Sequence, residues 1–223
     1  MSPDVETTAS PCARRSVVFD LDGTLVDSAP GVLLAFAQAF ASRGLETAVP
    51  LDRRVVGPPL RRTLALLAGS DDPTLLDDLS ARFRAAYDGD LCAAAEPYPG
   101  IHDALLRLTA TGVQLYIATN KRDLPTRRLV EALGWQGFFV AIRCTDTGGG
   151  PAAPDKRQTL STLIREHGIE VASALMVGDS IDDAEAAEHS AMAFVGVRWG
   201  YGSAALAARY PGLRHVNDPG ELG

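Results

Sequence analysis

A chain of 223 residues, 46% of them hydrophobic, has material for one sizeable domain or for a core with a smaller insertion. Its net charge of −7, from 21 basic and 28 acidic residues with no basic stripe, argues against a nucleic-acid partner. No apolar run approaches the ~18 residues of a membrane span, and three scattered cysteines without a CxxC pair fit a reducing cytoplasm better than a disulfide framework or a zinc site.

Residues 1–14 are polar, lack the apolar segment of a signal peptide, and are expected to form a disordered tail. "SVVFDL" (16–21) reads as a short buried strand. A helix-rich stretch follows: "APGVLLAFAQAFASRG" (29–44) carries apolar residues at helical spacing, and "PPLRRTLALLAG" and "PTLLDDLSARFRAAYDG" give two further helices. No strand is expected between Asp27 and Pro97. A helix is expected to open after Pro99-Gly100.

Strand and helix then alternate. "VQLYIAT" (113–119), "FFVAIRC", "SALMVGD" and "AMAFVGV" read as strands, separated by the helices "LPTRRLVEALG", "DKRQTLSTLIREHG" and "DDAEAAEHS". "SAALAARY" and "LRHVN" close the series, and "TDTGGGPAAPD" (145–155) reads as a mobile loop. Near-continuous apolar strands in this alternation predict a parallel sheet covered on both faces. Residues 15–27 plus 98–223 are expected to form that α/β core, with 28–97 a helical cap inserted after the first strand.

Ligands of an open parallel sheet bind at the carboxyl ends of its strands. Asp20 and Asp22 follow the first strand, Thr119, Asn120 and Lys121 the second, and Asp179, Ser180, Asp182 and Asp183 follow "ALMVG"; Lys156 follows the Gly/Pro loop. Several carboxylates converging on one rim repel each other unless a cation joins them, and hard oxygen ligands suit Mg²⁺. With small hydrogen bonders and a lysine nearby, the chemistry that fits is phosphoryl transfer through a carboxylate nucleophile.

"DLDGTLVDS", "IATN", Lys156 and "VGDSIDD" resemble, in order, the four motifs of the haloacid dehalogenase superfamily, in its phosphoglycolate-phosphatase-like branch. "PYPG" and "GVRWGYGS" (196–203) extend the resemblance over nearly all of the chain beyond the tail. It implies a Rossmann-like core with an inserted cap, and hydrolysis of a small phosphomonoester by way of an aspartyl-phosphate. Asp20 is then nucleophile and Mg²⁺ ligand. Asp22 is general acid and base, with its backbone carbonyl on the metal. Thr119 and Asn120 hold the phosphoryl group, together with Gly23 and Thr24 of the first motif, and Lys156 neutralises it. Asp179 is a direct or water-mediated metal ligand that Asp183 supports or joins. Where relatives often carry Lys-Pro in the third motif, this chain has Lys156-Arg157, the form in which the lysine opens a helix.

Other readings stay open at this point. Asp182 falls at a variable position and reads as a solvent-facing or helix-start charge. Lys121 either adds positive potential or pairs with a nearby carboxylate. His102, His167, His189 and His215 show no metal spacing, and Trp199 reads as a packing residue. Gly57-Pro58-Pro59-Leu60 resembles a cap loop facing the active site, and its neighbours Arg54, Arg61 and Arg62 either contact an anionic substrate or sit on a helix surface. A phosphonatase is excluded because no lysine lies between residues 28 and 97. Asp22 and the acidic fourth motif argue against a dehalogenase. A sugar phosphomutase and a non-catalytic binding module are the alternatives to the phosphatase. A monomer and a homodimer are both compatible with the sequence.

Overall fold

The computed structural model describes residues 15–147, 153 and 155–222. The expected tail lies outside the described residues, as does most of the expected loop over 145–155.

The first strand, β1 (Ser16–Phe19), leads to a two-residue strand β2 (Val26–Asp27) and then to three helices: α1 (Ala29–Ala41), α2 (Leu60–Ala68) and α3 (Pro73–Ala86). A π-helical turn over Tyr87–Leu91 ends α3, with Gly89 off helical geometry at φ −84°, ψ −132°. Strand β3 (Glu96–Pro97) then pairs antiparallel with β2. This ribbon, which brackets the helices, was not expected. Strands of two residues are too short to display alternation.

After α4 (Ile101–Ala110) come β4 (Gln114–Ala118), α5 (Asp123–Ala132), β5 (Phe139–Arg143), α6 (Lys156–His167), β6 (Ala174–Gly178), α7 (Ile181–His189), β7 (Ala193–Val197), α8 (Ser203–Arg209) and β8 (His215–Val216). The six longer-range strands form one parallel sheet in the order β5-β4-β1-β6-β7-β8.

Alternation within strands divides the core between the two sheet faces. Val17 and Phe19 of β1 join Leu115, Ile117 and Val177 on one face. Val18 joins Tyr116, Ala118 and Met176 on the other, under Leu160 and Leu163 of α6. The helices α1 to α3 pack on one another around Phe36, Phe40, Leu64, Leu79 and Phe83.

Helix ends follow local chemistry. Glycines in the left-handed conformation stop α2 (Gly69) and α6 (Gly168). Asp155 caps α6 by accepting from Gln158 N. Ser180 and Asp183 form a reciprocal capping box at the start of α7. Pro125 falls in the first turn of α5, where its missing N–H costs nothing.

Candidate active site

Because β1 and β6 are adjacent and parallel, the residues just past their carboxyl ends are neighbours. Asp20 and Asp179 meet there, and the capping box turns Asp183 toward them. One oxygen from each of Asp20, Asp179 and Asp183 lies within 4.8 Å of the others, and all three residues are buried. Lys156, the first residue of α6, is 3% exposed. Its Nζ donates to Asp20 Oδ1 and, at 2.6 Å, to Asp183 Oδ1. A helix start is a poor place for a cation without such partners, and the buried Lys156 has them.

Three carboxylates cluster beside one ammonium, which pairs with Asp20 and Asp183 but not Asp179, so the cluster carries more negative charge than Lys156 offsets. Burial raises the Asp20 carboxyl well above its usual range; Lys156 opposes this, and Asp183 and Asp179 add to it. Burial, then the charge of Asp183, push Asp179 up to about 7, against the N–H of Gly202 and the charge of Lys156. Burial alone would lower Lys156, but Asp183 and Asp20 outweigh it and hold the amine above its ordinary value.

The remaining lone pairs divide unevenly. Asp183 Oδ2 accepts from Ser180 N at 3.0 Å and Ser180 Oγ at 2.7 Å, so both of its oxygens are engaged. Asp179 Oδ2 accepts from Gly202 N at 2.8 Å. Thr24 Oγ1 lies 3.3 Å from Asp20 Oδ2 and 3.5 Å from Asp179 Oδ1. Asp20 and Asp179 therefore keep the most oxygen capacity for a cation. Hard, buried and under-neutralised carboxylate oxygens are the donor set a divalent cation of the Mg²⁺ type takes.

Two glycines make the approach possible. Gly23 has φ +91°, and a Cβ there would lie 2.6 Å from Asp179 Oδ2. A Cβ on Gly200, in the loop after β7, would lie 2.3 Å from Asp179 Cβ and 2.4 Å from Gly23 O. Gly23 and Thr24 thus sit on the carboxylate side of the site.

The residues after β4 form the opposite wall. Thr119 is buried, and its Oγ1 accepts from Lys121 N at 3.1 Å. Asn120 Nδ2 donates to Gly57 O at 3.2 Å, which brings the Gly57-Pro58-Pro59-Leu60 loop onto the site, while Asn120 Oδ1 is buried without a partner. Lys121 pairs with Asp22: Nζ lies 2.9 and 3.2 Å from its two carboxylate oxygens. The ambiguity over Lys121 thus falls to the carboxylate pair. A cavity of about 70 Å³ lies between these residues and the helices, with Asp22, Asn120 and Lys121 on one side and Phe36, Val56 and Phe83 on the other.

Of the arginines singled out in the sequence, Arg54 pairs with its neighbour Asp52 and Arg61 with Asp77, both on the surface. Arg62 comes within 3.8 Å of Asp182, which is part-exposed in the first turn of α7. Arg53, not singled out, is the one that reaches Asp27, at 2.8 Å, alongside Tyr201, whose hydroxyl donates to Asp27 Oδ1 at 2.7 Å. Trp199 packs against Tyr98 and donates to Thr24 O at 3.0 Å. His102 accepts from Trp135 Nε1. Neither Tyr87 nor Tyr201 had a signal in the sequence, because each acts across a distance of more than 30 residues.

A parallel sheet with a buried carboxylate–lysine cluster on its carboxyl rim defines a Rossmann-like α/β protein with its site at the strand ends. The chain belongs to the haloacid dehalogenase-like hydrolase family, whose model matches residues 17–197. It is 36% identical over 189 residues to a phosphoglycolate phosphatase of Agrobacterium fabrum, covering 82% of this chain and 80% of that protein. It is 37% identical over 195 residues to a phosphoglycolate phosphatase of Mesorhizobium japonicum, covering 85% of each. Among solved structures, a predicted phosphatase from Clostridium acetobutylicum superposes with a TM-score of 0.84 at 25% identity, over 95% of this chain and 97% of that one.

Proposed function

We propose that this protein is a Mg²⁺-dependent phosphatase that hydrolyses a small phosphomonoester, with phosphoglycolate the leading candidate because it is the substrate in the names of the relatives. The observation that carries the reading is the convergence of Asp20, Asp179 and Asp183 with the ammonium of Lys156. In this reading residues 28–97 act as a cap over the core, and the small cavity beneath them supports a small leaving group. No helix among the described residues is long and apolar enough to cross a membrane. The buried free thiols of Cys92 and Cys144 support a reducing, cytoplasmic setting.

The bound Mg²⁺ would be held by Asp20, Asp179 and the Asp22 carbonyl, with Asp183 orienting the site, and would supply charge neutralisation at the phosphoryl oxygens. A carboxylate oxygen of Asp20 attacks phosphorus as the P–O ester bond breaks. Asp22 gives its proton to the departing alkoxide oxygen. Water then attacks the phosphorus of the aspartyl-phosphate and passes its proton to Asp22. The P–O bond to Asp20 breaks, releasing inorganic phosphate and restoring both carboxyl groups. Lys156 offsets the charge that gathers on the phosphoryl oxygens, beside Thr119 and Asn120. Gly23 and Thr24 keep Asp20 and Asp179 in register.

Phosphate release with Mg²⁺ over a panel of phosphoglycolate, nucleoside monophosphates, pyrophosphate and sugar phosphates tests the reading. At least one substrate should turn over, and Asp20→Asn should lower that rate by roughly 10³-fold or more while the protein stays folded. Near-normal release by Asp20→Asn would sink the mechanism. Isomerisation of a hexose phosphate without phosphate release would replace the hydrolase by a mutase.

A further inference from the structure

The chain has only two lysines among 21 basic residues, and both are buried at this site. Lys156 belongs to the carboxylate cluster. Lys121 does not: its partners are Asp22 of the core and Tyr87 of the inserted helices. Its side chain is 5% exposed, and Nζ meets both oxygens of Asp22 and the hydroxyl of Tyr87. It also lies 4.7 Å from the centroid of the Tyr87 ring.

An ammonium has three N–H donors; the two Asp22 oxygens share one of them and the Tyr87 hydroxyl takes a second, so most of the donor capacity of Lys121 is directed at Asp22 and Tyr87. Its own position is fixed from two sides. In the core, its backbone N–H donates to Thr119 Oγ1. From the helices, Tyr87 is buried and stacks on Phe83 at 5.3 Å, which in turn packs on Phe36 at 4.5 Å. The turn that carries Tyr87 is clamped to α5, where Arg122 pairs with Asp88 and Arg128 donates to the Asp88 carbonyl.

We propose that Lys121 is a positioning residue for Asp22, holding its carboxyl group toward the cavity, and that Tyr87 completes the arrangement when the helices dock on the core. The inference rests on the phosphatase reading above. Asp22 must deliver a proton to the leaving oxygen in the first half of the reaction and collect one from water in the second. The contact of Nζ with both oxygens sets where the carboxyl group of Asp22 points, toward the cavity that the ester oxygen would enter. Without Lys121 the carboxyl rotates freely about its own bonds, and proton delivery loses its direction. A tetrahedral ammonium reaches acceptors on two different elements, whereas a planar guanidinium directs its donors into one fork. That accounts for a lysine here in a chain otherwise committed to arginine.

The test uses full-length protein with Mg²⁺ and two substrates: the best alkyl phosphate from the panel, and p-nitrophenyl phosphate, whose nitrophenolate departs without a proton. In Lys121→Met, kcat/KM should fall on the alkyl phosphate roughly tenfold or more beyond any fall on p-nitrophenyl phosphate. KM for the alkyl phosphate should stay within about threefold of wild type. Tyr87→Phe, which keeps the ring and removes the hydroxyl, should shift the ratio in the same direction by about threefold. Equal losses on both substrates would mark a merely structural residue, and a loss confined to KM would mark a substrate contact. Either result, or an unchanged ratio, overturns the proposal. Should Lys121→Met fail to fold, the Tyr87→Phe ratio decides alone, and a wild-type ratio there overturns it. A wild-type protein that releases no phosphate from either substrate takes down the phosphatase reading and this inference together; an active wild type with unshifted variants takes down only the inference.

Discussion

Lys156 Nζ lies 2.6 Å from Asp183 Oδ1, with both side chains buried, and the same ammonium also serves Asp20. Removing one partner from a buried pair leaves an uncompensated charge, which costs about 3–5 kcal/mol. Lys156→Met should therefore be less stable than wild type by about that free energy, read from urea unfolding in metal-free buffer. Added Mg²⁺ should recover part of the loss by binding only the folded state. Matched unfolding curves with and without Mg²⁺ check this, and phosphatase turnover should not return with the stability.

Metal binding should depend on pH in a stated direction. Burial and the neighbouring Asp183 charge bring Asp179 to about 7 in the metal-free protein, so in its proposed role as a metal ligand a proton competes with Mg²⁺ below that pH. Calorimetric titration should find Mg²⁺ bound roughly tenfold more weakly at pH 6 than at pH 8. The stability of the metal-free protein should run the other way. A carboxyl raised in the folded state binds a proton there that the unfolded chain, above about pH 4, has released. Its contribution is complete below the unfolded pKa and is lost as pH rises through 7. Asp20, raised for the same first cause, adds to that trend.

Gly200→Ala should damage the site from outside it. The added Cβ meets Asp179 Cβ at 2.3 Å and Gly23 O at 2.4 Å, and neither is the flexible end of a side chain. Forced displacement of this kind costs about 1–3 kcal/mol, and it moves Asp179, so Mg²⁺ affinity should fall as well. Gly212→Ala, where an added Cβ meets nothing within 4 Å, is the control and should leave both unchanged.

Tyr201→Phe should loosen the junction between the helices and the core. The hydroxyl donates to Asp27 Oδ1 at 2.7 Å and accepts from Ala29 N at 3.0 Å. Losing two hydrogen bonds of ordinary strength costs about 1–3 kcal/mol, measurable by urea unfolding. Partial burial pushes the Asp27 carboxyl up, but the bonds from Arg53, Tyr201 and the Ala29 N–H outweigh it and hold it below its usual value. Stability from such a group is present above the unfolded pKa and is lost as pH falls through the folded one. In Tyr201→Phe that acid loss should begin at a higher pH.

The sheet was legible because parallel strands buried on both faces read as apolar runs, and "VVF", "LYIA" and "LMVG" allow no other burial. The β2–β3 ribbon was not legible, since two residues cannot show a period. Helix α3 was legible up to Ala86, but its π-helical end was not: Asp88 in that turn is bonded by Arg122 and Arg128, which come from a stretch far along the chain.

Which chemistry-bearing residues the chain carries, and that they follow strand ends, was readable from residue order alone. A parallel sheet has only one carboxyl rim, so Asp20, Thr119 and Asp179 had to share it. How those residues pair emerges from the folded arrangement. Asp183 has both oxygens engaged, Asn120 is bonded to the Gly57 backbone, Lys121 pairs with Asp22 and Tyr87, and Arg53 rather than Arg54 reaches the core. The reason is physical. Strand order follows from hydrophobic pattern, which is local and repetitive. A buried ion pair depends on ångström distances between elements far apart in sequence, which no local pattern encodes.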